Sequence, residues 1–169
     1  MTLRNALFAA TLLMSTTACA SAGATGDIAA TAAGSGAPRE RTARFSPNEL
    51  INTGGWTLQS AKVGGSAIAE VSAPGVAFEM TFANGGVSAS GGCNQLRGTY
   101  KATGKRLDMT LSIATRMSCT DDKNLADRSF SERMSQSFKV ELIEPQPYRM
   151  RLTSDSGEVM VFQAKPIPL

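Results

Sequence analysis

Few side chains in this chain are equipped for chemistry. No histidine occurs among the 169 residues. That removes the usual general base at neutral pH, the commonest zinc ligand and every Ser-His or Cys-His nucleophile arrangement. Three cysteines remain, Cys19, Cys93 and Cys119, together with carboxylates such as Glu79, Asp108, Asp121 and Asp122. No spacing among these acids marks a working acid–base pair. The Gly91-Gly92 pair lacks the lysine and following helix of a phosphate-cradling loop. The chain is therefore read as non-catalytic, with no cofactor and no metal; a carboxylate-dependent hydrolase is the enzyme alternative.

The cysteines read first as structure. With Cys19 lipidated or removed, Cys93 and Cys119 are an even pair, which in an oxidising compartment reads as one disulfide. Loop closure over that span is worth about 3–4 kcal/mol. The alternative is a free thiol acting as a redox sensor or mixed-disulfide partner. Spacing leaves both open, because bonding depends on Cα separation. Asn94 suits a turn, since asparagine tolerates left-handed torsions and bonds its own backbone. Arg97 and Arg116 flank the two cysteines and would bind an anion only if both faced one crevice; a solvated surface is the default.

The ends of the chain set the compartment. Residues 1–19 resemble an export signal: Arg4, an apolar run over 6–14, a polar stretch, then Ala18-Cys19-Ala20. The run is too short for the roughly 20 residues that span a bilayer. In one reading Cys19 is lipidated, although Thr16 occupies a position where such sites usually carry an aliphatic residue. In the other, a small-x-small motif is cut and Cys19 is discarded. Both place the protein in the cell envelope, and the first anchors it to a membrane. Residues 20–46 are rich in Ala, Gly, Ser and Thr, with Pro38 and a basic cluster at Arg39, Arg41 and Arg44. So few large apolar groups cannot offset ordering entropy, and a flexible linker with an end-to-end distance of about 30 Å is expected.

Residues 47–169 have the size of one domain. A net charge of +3 with interspersed signs gives no footprint for nucleic acid. Lys101, Lys105 and Arg106 are expected at a solvated hairpin tip. Trp56 and Leu58 open a strand. Val76, Phe78, Met80 and Phe82 alternate as a half-buried strand, and Asn84-Gly85 supplies a tight hairpin turn into a strand at 87–90. Short strands follow at 99–101 and 107–113, and a hairpin from residue 148 to 162 turns at Asp155-Ser156-Gly157. Ala126, Phe130, Met134 and Phe138 recur every four residues and predict a helix over 124–138 with an apolar stripe. Asp121, Asp122 and Asn124 stand ready to cap it. The expected class is α+β, a curled antiparallel sheet of half-barrel form packed on one helix.

Two segments also resemble the signatures of the META/HslJ domain family. Gly92, Cys93 and Asn94 match its glycine–cysteine–asparagine turn, and Gly98 and Tyr100 its trailing glycine and tyrosine. Thr115, Met117 and Cys119 match the second cysteine segment, with Ser118 in place of alanine and Thr120 where proline is common. Trp56 fits the opening strand, and Asp127 before Phe130 reproduces an acid–phenylalanine spacing with the shorter acid. The likeness spans nearly all of residues 54–163. It implies an exported or lipid-anchored envelope protein, in a family with some members associated with heat shock or antibiotic resistance, and it supplies no catalytic residue. The leading expectation is a non-catalytic module that contacts other envelope proteins. A small-molecule-binding module, with an apolar crevice between sheet and helix, is the alternative. Trp56 and Tyr100 serve either a ligand groove or the core.

Overall fold

The computed structural model describes residues 39–145 and 147–167. The expected export signal, Cys19 and the first part of the expected linker lie outside the described residues. In chain order the strands are β1 (Arg41–Ala43), β2 (Trp56–Val63), β3 (Ser66–Ala67), β4 (Glu79–Ala83), β5 (Gly86–Ser90), β6 (Leu96–Thr103) and β7 (Arg106–Ile113). The helix α1 (Asp121–Met134) comes next, then β8 (Ser137–Glu144), β9 (Arg149–Ser154) and β10 (Glu158–Ala164). Short 3-10 turns sit at Pro47–Leu50 and Glu70–Ser72.

All strand pairings are antiparallel, in the order β8-β7-β6-β5-β4-β2-β10-β9, and β9 pairs back onto β8. The sheet is thus a closed barrel of eight strands, not the half-barrel expected. The strand that closes it is β8. Phe138 stands four residues after Met134, and that spacing extended the predicted helix across residues that form β8. Phe138, Val140 and Leu142 alternate inward from it just as well. Pairing β8 with β9 satisfies edge groups that a half-barrel would leave open.

Closure is uneven. β7 pairs with β8 only from Arg106↔Lys139 to Asp108↔Ser137. Beyond that, the C-terminal end of α1 takes over the edge of β7. The Met109 amide donates to the Gln136 carbonyl at 3.0 Å and the Leu111 amide to Ser135 Oγ at 2.8 Å. Ser131 Oγ returns a bond to the Leu111 carbonyl at 2.9 Å. The matching edge of β8 is covered by β1, through Arg41↔Glu144, Thr42↔Ile143 and Ala43↔Leu142. This corrects the linker, expected to run to residue 46. Its last residues are held by backbone pairing, which composition does not reveal, and Phe45 is buried.

The barrel interior is filled by side chains. Trp56, Phe78, Phe130, Phe138 and Phe162 are all fully buried, and Trp56 Nε1 donates to the Leu50 carbonyl at 3.0 Å. Phe78 and Phe130 stack with centroids 3.9 Å apart, fastening α1 to the start of β4. The Asn84-Gly85 turn appears as expected, with φ of 49° and 76° at the two positions. The β6–β7 turn and the turn at residues 155–157 also fall where the sequence places them.

Candidate functional site

The two signature segments meet beside the first turns of α1. Cys93 and Cys119 are joined in a disulfide with Cα atoms 5.9 Å apart. It ties the bend after β5 to the irregular segment between β7 and α1.

The centre of this arrangement is Asp127, with no exposed surface. Its carboxylate accepts from the Cys93 amide at 3.1 and 3.2 Å, from the Asn94 amide at 2.7 Å and from Asn94 Nδ2 at 3.0 Å. No basic side chain pairs with it among the described residues. N–H dipoles carry the compensation that a buried anion requires. Asn94, itself buried, turns its other face to the second segment. Asn94 Oδ1 accepts from the Met117 amide at 2.8 Å and from Thr115 Oγ1 at 3.1 Å. Thr115 Oγ1 in turn accepts from the Gln95 amide at 2.9 Å.

Gly92 is explained by the same contact. A Cβ there would overlap Asp127 Oδ1, so only glycine lets the turn approach the carboxylate. Gly98 has an equivalent constraint, since a Cβ would overlap the Thr110 carbonyl across the β6–β7 ladder. Tyr100 is half-buried and meets Phe82 edge-on at 5.0 Å. Asn124 Nδ2 donates to the Cys119 carbonyl at 3.3 Å, at the start of a helix that begins at Asp121, three residues earlier than expected. Asp121 and Asp122 occupy its first turn, where the positive end of the helix dipole favours negative charge, and the N-cap residue Thr120 makes no side-chain capping bond.

The carboxylates first considered for catalysis are dispersed. Glu79 pairs with Lys165 at 2.8 Å, Asp108 accepts from Ser137 Oγ, and Asp121 and Asp122 are exposed. Arg97 and Arg116 are both exposed. Lys101 and Lys105 are solvated near the β6–β7 turn, while Arg106 pairs with Asp155 at 3.1 Å and bonds Ser137. No cluster of three or more Cys, Asp or Glu side chains is placed to hold a metal among the described residues. The carboxylate that sequence reasoning left out of its acid list is Asp127. Its only signal was the spacing to Phe130.

At the other end of α1 a second polar group is buried. Glu158, at the start of β10, pairs with Arg133 and accepts from Gln136 Nε2 at 2.8 Å. Its amide donates to Ser154 Oγ at 3.0 Å. Every buried side-chain nitrogen or oxygen among the described residues has a hydrogen-bond partner. These polar groups are arranged as struts of the fold.

Comparison with known proteins follows the same lines. Residues 49–167 match the family model for the META domain. A protein from Burkholderia xenovorans, solved by NMR, superposes with a TM-score of 0.58 at 24% identity, covering 73% of this chain and 90% of that one. That likeness concerns the fold. A protein of the DUF4847 family from Bacteroides vulgatus gives a TM-score of 0.46 at 16% identity, over 73% of this chain and 100% of that one. No curated protein matches the chain. The family match takes in the barrel, the helix and both halves of the disulfide-linked turn, and on that evidence the chain belongs to the META domain family.

Proposed function

We propose that this META domain is a non-catalytic module of the cell envelope. It acts through contacts with other envelope proteins in stress or antibiotic tolerance, tethered to a membrane by a lipid on Cys19. The observation that carries the reading is the linkage of Asp127, Asn94 and the disulfide. Asp127, Asn94 and Thr115 spend their hydrogen bonds on holding two segments to a helix. A disulfide between the two signature segments suits an exported protein, because cytosolic thiols are kept reduced. The space between sheet and helix is occupied by Phe78, Phe130, Ala126 and Met134, all buried. That packing favours contact through the barrel exterior over a ligand held between sheet and helix.

The test is crosslinking in intact cells with the full-length chain, followed by capture. A reproducible envelope protein, lost when Cys19→Ala frees the domain from the membrane, is the expected result. Crosslinking that yields no reproducible partner, with a melting temperature that rises in the presence of a metabolite, would overturn it. Intact mass, with alkylation before and after reduction, reads the lipid and the two thiols directly.

A further inference from the structure

Of the nine residues that carry the family signature, eight meet the rest of the fold through a side chain or, at the two glycines, through the close approach that lacking one allows. The exception is Met117, a residue 59% exposed. Its main chain is fixed, because the amide donates to Asn94 Oδ1 at 2.8 Å and Cys119, just beyond Ser118, is held in the disulfide. The thioether is thus displayed on a rigid base, in the exposed segment that ends at the disulfide. The other five methionines of the described residues are Met80, Met109, Met134, Met150 and Met160, each between 0% and 4% exposed. Burial shields their sulfurs from any reagent in water. An exposed thioether costs some unfavourable hydration and contributes nothing to the barrel core.

We propose that Met117 is a native-state oxidation site, taking two-electron oxidants of the peroxide class. The sulfur lone pair attacks one peroxide oxygen and a sulfur–oxygen bond forms as the oxygen–oxygen bond breaks. The departing hydroxide collects the proton from the transferred oxygen and leaves as water. Sulfur loses two electrons and peroxide gains them. The product is a sulfoxide, polar and chiral where the thioether was apolar, and exposed enough for a reductase to reverse it. The disulfide has no thiol to compete for the oxidant. Because Asn94 and the disulfide hold the backbone, oxidation changes the surface of the segment and leaves the barrel packed.

The test is dilute hydrogen peroxide on the folded, disulfide-bonded chain, with peptide mass mapping over time. Met117 is expected to gain one oxygen at least about tenfold faster than any of the five buried methionines. In denaturant the six rates converge. Met117→Leu, which keeps an apolar side chain at an exposed position, is expected to remove the fast oxygen uptake while the melting temperature stays the same. Equal rates at all six methionines of the folded chain would overturn the proposal. So would fast uptake that persists in Met117→Leu.

Discussion

The two ends of α1 bury a carboxylate each, and they satisfy it in different ways. Asp127, near the first turns, is wholly buried and answered by N–H groups of Cys93 and Asn94. Glu158 meets the last turn and is answered by the Arg133 guanidinium and the Gln136 amide. Arg133 keeps a side-chain exposure of 30%, so that pair touches water, whereas Asp127 does not. At the first end, removing the acid leaves backbone donors with nowhere to turn. At the second, the abandoned cation can rehydrate. The comparison shows that the signature end satisfies its carboxylate with backbone and amide donors, and the other end with a charge partner.

The largest effect should follow from breaking the first end. Asp127→Ala strands three donors, the two of Asn94 buried and that of Cys93 partly so, and is expected to destabilise the domain by about 4 kcal/mol, read from the midpoint of denaturant unfolding. Gly92→Ala should produce a comparable loss by displacing the carboxylate. In the double variant the two losses should fall well short of additive, because both break one contact. Equal, additive losses would show that Gly92 and Asp127 act separately. Next comes the disulfide at the same end. Replacing Cys93 and Cys119 by alanine is expected to cost about 3 kcal/mol, since the bond closes a 26-residue separation.

The second end should be more forgiving. Glu158→Gln keeps the shape and one acceptor, and a loss of about 1–2 kcal/mol is expected in the same unfolding measurement, because water screens Arg133. A loss matching that of Asp127→Ala would erase the contrast between the ends. The smallest effect belongs to the barrel wall. A hydrogen bond from Lys139 at 2.9 Å holds the Glu141 carboxyl below the usual glutamate range, against the opposing effect of burial. The charges of Lys139 and Arg151 add to the lowering. Its folded pKa is depressed, so its stabilisation is present above the ordinary glutamate pKa and fades as pH falls through the lowered value. Glu141→Gln should therefore cost a few tenths of a kcal/mol at neutral pH, on a largely exposed pair. The gap from the parent should close in acid, as followed by thermal melts.

How much of this was legible varies with the range of the signal. The β4–β5 hairpin could be read from Asn84-Gly85 and the alternation around it, because a turn needs only its own few residues. The apolar stripe of α1 was found for the same reason, but its boundaries slipped. Met134 and Phe138 satisfy a helical spacing, while Phe138, Val140 and Leu142 also satisfy a strand, and local pattern does not arbitrate between them. β1 gave no signal at all. Arg41, Thr42 and Ala43 are ordered by the freed edge of β8, about a hundred residues away in the sequence, and not by their own hydrophobicity. Asp127 went unread as a site residue because its partners lie 33 and 34 residues upstream.

By itself the sequence determined the turns, the alternating faces, the absence of histidine chemistry and the family signature, all of which reside in neighbouring residues. Tertiary structure alone decided that the sheet closes and that the two cysteines bond. It also decided that Asp127 is a buried strut, and that Met117 stands in water while the methionines of the strands and helix do not. Those outcomes depend on which distant segments share a wall of the barrel. A local pattern records what a residue can do, and only packing determines what surrounds it.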